Sequence, residues 1–158
     1  MTIDDHHPPL ASDYLCSLVV HVGPITSLGQ GPYGERRAIA LLGGTVSGPG
    51  MEGRVLAGGH DWQTVRADGV VDIDAHYMLG LDDGALVELS SIGMRHGPAE
   101  VLARLGRGEA VDPSEYFFRT VVRFQTGAAR LAHLNRTMAI AVGARRATQV
   151  ELTLHAIR

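Results

Sequence analysis

The stretch "GGHDWQ" at positions 58–63 sets an imidazole, His60, and a carboxylate, Asp61, directly against Trp62, the one tryptophan of the chain. A carboxylate can exchange a proton, an imidazole titrates near neutral pH, and an indole makes a large apolar wall. Such a triplet suits a turn that opens a strand, or the wall of a small-molecule site. Along a regular strand Asp61 and Gln63 face one way, and His60, Trp62 and Thr64 face the other. Asp61 and Trp62 then serve one site only if the glycines create a bulge or Asp61 lies on a rim.

The second group lies in "YFFRTVVRFQT" (116–126), where Arg119, Arg123 and Gln125 share one strand face and Phe118, Val122 and Phe124 the other. Two cations on one face of an apolar strand cannot both be buried without partners. That face is either wet, as surface arginines on a sheet, or it lines a polar cavity with carboxylates opposite. Asp61 is a partner by type. An Asp–Arg pair among aromatic walls suits a small organic anion or a polyketide-like molecule.

Other combinations carry less. Asp72, Asp74 and His76 project to one side of their strand and could orient an imidazole or share a metal, although a solvated outer face is the plainer reading. No histidine pair has ligand spacing, and the single Cys16 allows neither an internal disulfide nor a cysteine-type zinc site, so no metal is expected. His96, at a strand-to-helix junction, is a rim or capping residue that could also titrate. Gly29-Gln-Gly31-Pro-Tyr-Gly34 spells a dinucleotide-binding pattern, but Pro32 interrupts it and a strand follows where a helix is needed; it reads as a hairpin loop, and no cofactor is expected. No G-x-S-x-G elbow is present.

These residues must be positioned by short elements. Twenty glycines and 7 prolines among 158 residues punctuate short apolar runs, which favours many strands over a few helices. Residues 14–22 and 36–44 read as strands, with a long turn region between them. A short strand follows within 48–59, then one beginning at Asp61 and closed by Asp68-Gly69. Residues 70–81 alternate clearly: Val71, Ile73, Ala75, Tyr77 and Leu79 against Asp72, Asp74, His76 and Met78. Asp82-Asp83-Gly84 turns the chain into a returning strand at 85–94. Pro98 opens one helix, to Gly106 or Gly108, with Val101, Leu102 and Leu105 as its apolar stripe. After strand 116–126 come one helical turn within 127–135 and a final hairpin of 138–146 and 148–157. The expected fold is a closed antiparallel β-barrel of about eight or more strands with one short helix. Residues 1–13 form a loose arm and 14–158 a single domain.

A net charge of −3 with no basic stripe argues against nucleic acid, and no apolar run reaches the ~20 residues that cross a membrane. The polar start "MTIDDHHPPLASD" lacks a signal-peptide layout, so a cytoplasmic location is expected.

The pieces "GGTVSGPGMEGRVLAGGHDWQ", "DDGALVELSSIGMRHGP", "DPSEYFFRTVVRFQTG" and "LAHLN" together resemble the uncharacterised family known as domain of unknown function 3237. The resemblance runs from about residue 14 to the end. It implies a compact antiparallel β-barrel and a homodimer, and no established common reaction. This chain departs from the family at three motif-adjacent positions. His60 replaces a small residue, Gln125 a glutamate, and His133 an aromatic.

The expected function is acid–base or shape-guided isomerisation or cyclisation of a small organic metabolite in a mostly apolar barrel cavity. Asp61 would exchange the proton, Arg119 stabilise an enolate or carboxylate, and His60 or His133 share the proton. Trp62, Tyr77, Phe118 and Phe124 would shape the pocket, with Arg123 and Asn135 as further substrate contacts. A barrel that holds a hydrophobic ligand without transforming it is the alternative, as is a small hydrolase or lyase of the same fold.

Overall fold

The structure, a computed structural model, describes residues 7–158. Nine antiparallel strands form one sheet: β1 (Ser12–Gly31), β2 (Gly34–Ser47), β3 (Gly53–Val55), β4 (His60–Val65), β5 (Val71–Leu81), β6 (Leu86–His96), β7 (Phe117–Gln125), β8 (Met138–Arg145) and β9 (Gln149–Ile157). One helix, α1 (Ala99–Gly106), joins β6 to β7. The sheet runs β1-β9-β8-β7-β6-β5-β3-β2-β4, with further pairings β1–β2 and β5–β4. β3 and β4 share one slot end to end. β2 meets β3 through Gly44–Val46 and β4 through 35–40, and β5 meets the same two strands through 79–81 and 71–76. The nine strands therefore close into a ring of eight positions.

Two long strands depart from the sequence expectation. β1 continues through the expected turn region to Gly31, and its hairpin with β2 closes at Gly31↔Gly34. The largely polar stretch 26–30 is extended because β2 supplies backbone partners for Thr26, Ser27, Gly29 and Gln30, an interaction that outweighs local turn preference. β2 in turn continues through Gly43-Gly44 to Ser47, with a bulge that leaves Leu42 unpaired against β1. β1 begins at Ser12, paired with Ile157, so the sheet takes in the last two residues expected in the arm. Residues 1–6 lie outside the described residues.

The ring is filled from one face of each strand. Cys16, Leu18 and Val20 of β1, Leu79 of β5, Val87 and Leu89 of β6, Val122 and Phe124 of β7, Ala139 and Ala141 of β8, and Leu154 of β9 are all buried. Met51 and the buried Leu131 and Leu134 of a 3₁₀ segment (Ala129–Arg136) add to this core. Helix α1 closes over the other end, burying Val101 and Leu105, one turn apart. The Arg104–Glu115 ion pair at 2.8 Å ties it to the short turn before β7. No helix among the described residues is long and apolar enough to cross a membrane.

Cys16 has no exposed surface, and burial pushes its thiol up to about 12. A buried, protonated thiol is a poor nucleophile. An aromatic disulfide reagent should therefore label folded protein no faster than the protein opens, and labelling should accelerate in parallel with unfolding as urea is added. A rapid labelling phase in native buffer would contradict this burial.

Candidate functional site

The interior has two ends of opposite character. Around the core end the inward faces are aliphatic or aromatic. Around the α1 end three of those faces run onto arginine: Arg37 two residues before Ile39 in β2, Arg95 after Val87, Leu89, Ser91 and Gly93 in β6, and Arg145 after Ala139, Ala141 and Gly143 in β8. β4 contributes Asp61 and Gln63 to the same interior, placed there by the pairs Ile39↔Asp61, Arg37↔Gln63 and Asp61↔Ala75.

An inner cavity of about 40 Å³ is lined by Asp61 and Tyr77, by Phe118 and other apolar side chains, and by the hydrogen-bonded pair Ser91–Thr120, whose hydroxyls lie 2.7 Å apart. Asp61 sits in this wall. Its Oδ2 accepts a hydrogen bond from Gln63 Nε2 at 2.8 Å, while its Oδ1 is buried without a partner. Burial pushes its carboxyl up to about 6, against the opposing pulls of the Gln63 hydrogen bond and the Arg95 charge. The Tyr77 hydroxyl is buried without a partner too, and burial raises it well above the ordinary tyrosine value, so it stays protonated. Tyr77 lies on β5 between residues paired to β4 (His76↔His60) and to β3 (Leu79↔Val55), opposite the gap between those strands. Gly59 closes that gap because a Cβ there would meet the His76 carbonyl oxygen at 2.5 Å.

Outside this cavity is a vestibule of about 530 Å³, lined by Arg37, Arg95 and Arg145, by α1 through Leu102 and Leu105, and by Arg107, which is paired with Glu109. The Arg95 guanidinium lies over the Phe118 ring, 5.5 Å from its centroid, and marks the boundary between the two spaces. Gly143 leaves room for that ring, since a Cβ there would come within 2.7 Å of it. Arg95 is lowered to about 10, chiefly by burial and further by the neighbouring Arg145 charge. Its Nε has no partner. Burial also lowers Arg145. Arg37 is engaged by Glu35, its Nη2 donating at 2.9 Å.

The structure brings together Asp61, Tyr77 and Phe118 from the residues singled out in the sequence, and moves the others away. Arg119 faces outward, donating to the Phe118 carbonyl at 2.9 Å and lying over the Phe117 ring. Arg123 is exposed on the same outer face. The physical reason is the one that made the strand ambiguous: Phe118, Val122 and Phe124 fill the interior, and the two cations keep their water. His60 and Trp62 are outside as well, stacked at 6.2 Å, with Arg36 over the indole. Phe124 is buried away from this inner cavity, and with Arg123 and Asn135 it lines a separate outer pocket of about 420 Å³. His133 is exposed on the 3₁₀ segment. Asn135 clamps the backbone of Thr126, accepting from its N–H at 2.8 Å and donating to its carbonyl at 3.0 Å. Asp72, Asp74 and His76 lie on the outer face of β5.

The sequence reading missed Arg37, Arg95 and Arg145. The signal was there, since each continues the period-two apolar series of its own strand. Reading it would have required knowing which residue of each strand is inside and that three separate strands end at one mouth.

A sequence model of the family described as "Protein of unknown function (DUF3237)" matches residues 10–157. A UPF0311 protein of Rhodopseudomonas palustris is 38% identical over 150 residues, covering 95% of this chain and 98% of that protein. A crystal structure from the same organism, of a conserved protein of unknown function, superposes with a TM-score of 0.90 at 37% identity over 96% of this chain and 99% of that one. A β-barrel-like protein of Acinetobacter baumannii superposes at 0.85 with 36% identity, covering 98% of this chain and 100% of its own. A hydroalkoxylation enzyme of Penicillium herquei is 34% identical over 73 residues, 46% of this chain and 48% of that protein. The solved structure of an enzyme from that fungus shares the fold at a TM-score of 0.70 and 22% identity, over 96% of this chain and 99% of that one.

Proposed function

The chain belongs to the DUF3237 family, and from that premise we propose that its ring interior is an active site for proton transfer to and from a small organic molecule, giving isomerisation or cyclisation. One observation carries the reading. Of the five buried side-chain polar atoms without a partner among the described residues, four belong to Asp61, Gln63, Tyr77 and Arg95, all on interior-facing positions of the ring. Native interiors satisfy nearly all such atoms, so a concentration of exceptions in one place marks groups kept free for something else.

Each group has a role. With its carboxyl at about 6, Asp61 holds both protonation states near neutral pH, the condition that suits a general acid or base. The Gln63 amide fixes one carboxyl oxygen and leaves the other for substrate. Tyr77, held protonated, donates to an oxygen on which charge develops. The apolar walls exclude competing water and strengthen both interactions. The inner cavity takes only the reacting end of a molecule, and the body remains in the vestibule.

Hydroalkoxylation, for which the Penicillium relative is named, adds an O–H bond across a C=C bond. One proton goes to carbon and one leaves oxygen, so its balance calls for a proton donor and acceptor of the kind Asp61 supplies. The test uses 2-allylphenols and enolisable aryl ketones in D₂O, with deuterium incorporation and ring closure followed by mass spectrometry. Wild-type protein should catalyse exchange at carbon with a pH inflection at about 6. Asp61→Asn should slow it by about 10²–10⁴-fold. Arg119→Met, which alters only the outer face, should leave the rate unchanged. Equal rates in wild type and Asp61→Asn would overturn the assignment. Retention of these compounds without any exchange would favour the second reading, a protein that binds and does not transform.

A further inference from the structure

We infer that the vestibule is a binding site for the carboxylate of an aromatic or alicyclic organic acid, gripped by Arg95 and Arg145 with its apolar body lying against α1. The inference rests on the reading of the ring interior as the functional site and names the substrate class it takes.

The charges come first. Arg95 and Arg145 lie at the ends of β6 and β8, line the same vestibule, and raise each other's electrostatic cost. Among the described residues neither forms an ion pair. Arg145 makes one long contact, 3.4 Å, to the Gln149 carbonyl, and the Arg95 Nε makes none. Asp61, in the wall of the inner cavity, is the one carboxylate that attracts both cations, and it does so without a contact ion pair. Two partly buried cations sharing one distant counter-charge are unfavourable, and a bound anion lowers that cost. Arg37 differs because Glu35 already neutralises it. The unanswered positive charge is therefore centred on Arg95 and Arg145.

The shape of the anion follows from the donors and the walls. A guanidinium offers a planar fork that matches a carboxylate through two parallel hydrogen bonds. The surrounding wall is aliphatic, formed by Ile25, Val65, Val71, Leu102 and Leu105. Inorganic phosphate would satisfy the cations and leave that wall wet, whereas an organic acid satisfies both. A volume of about 530 Å³ lies within the range of small-ligand sites and accommodates a bicyclic body. The Arg95–Phe118 contact sets the carboxylate end of the acid at the boundary with the inner cavity, nearest to Asp61, with the body on the α1 side.

Isothermal titration at pH 7.5 tests this, with 1-naphthoate, benzoate, 1-naphthamide and inorganic phosphate as probes. Naphthoate should bind, and more tightly than benzoate. The isosteric amide should bind about tenfold more weakly or worse, as should naphthoate to Arg95→Gln and to Arg145→Gln, because each change removes a charge-assisted contact. Should either glutamine variant fail to fold, Arg95→Lys and Arg145→Lys keep the charge, lose the fork, and should also weaken binding. Naphthamide binding as tightly as naphthoate, or unchanged affinity in the arginine variants, would overturn the site. Phosphate competing as well as naphthoate would overturn the organic-acid class. The two readings fail separately. Asp61→Asn, which removes a competing carboxylate charge, should bind naphthoate at least as tightly while losing proton exchange, and exchange that persists without any naphthoate binding would sink only the present inference.

Discussion

Asp61→Asn should make the folded protein more stable above pH 7, by about 3 kcal/mol, while it removes the proposed proton-transfer activity. The figure follows from a carboxyl raised from 3.8 to about 6, at about 1.4 kcal/mol for each pH unit. The sign is fixed by proton counting. Between about pH 4 and pH 6 the folded state holds more protons than the unfolded state, so stability falls as pH rises through that window. Above pH 6 the folded protein carries a buried charge and the penalty is complete. Below pH 4 both states are protonated and the penalty is gone. An asparagine amide is neutral throughout and can donate to the Gln63 oxygen that has no partner. Urea titrations of wild type and variant at pH 4, 6 and 8 measure the difference. It should be small at pH 4 and largest at pH 8, where it corresponds to roughly 6–12 °C in Tm for a chain of this size. A difference that does not change with pH would show that Asp61 titrates as an ordinary surface carboxylate. A residue that costs stability and is nonetheless placed in the interior has the energetics of a functional group.

Gly44→Ala should destabilise by more than about 3 kcal/mol, the largest loss expected of any single methyl in this chain. Two effects combine. The backbone at Gly44 has φ +145°, outside the range side chains adopt. A Cβ there would also lie 1.8 Å from the Val19 carbonyl oxygen, which is backbone held in the β1–β2 ladder and cannot swing aside. Gly58→Ala separates the two causes. Its φ is +111°, yet nothing lies within 4 Å of the added carbon. It should cost only the conformational term, about 1–2 kcal/mol. Denaturant midpoints for the two variants decide the matter. Similar losses would mean that close approach of β1 to β2 contributes nothing.

Gly44 also shows how far the sequence could be read. "GGTVSGPG" marks the family, and a glycine pair after an apolar run reads locally as the end of a strand. The strand instead runs through, because the glycines are needed where two long strands of the ring pass closely, a requirement that depends on residues 25 positions away. The turn-like stretch 26–30 is extended for the same reason, its partners being supplied by β2.

Glycine punctuation and period-two alternation determined the all-β class and the positions of most strands, and Pro98 with its helical apolar stripe determined the single helix. Alternation also determined that Asp61 and Gln63 lie opposite His60 and Trp62, since successive side chains of a strand must diverge. Alternation is local physics, and one strand suffices to state it. It does not say which face is inside: at β7 the arginines and the phenylalanines were equally legible as lining. Closure of the ring decided that. Once eight strand positions enclose a core, the apolar face of each turns inward, and Arg119 and Arg123 go to water. Closure also carried Arg37, Arg95 and Arg145, 58 and 50 positions apart along the chain, to one mouth above Asp61. "GGHDWQ" thus holds one side chain of the site and one of the surface. The sequence fixes their divergence, and only tertiary structure makes Asp61, and not Trp62, the one that faces the cavity.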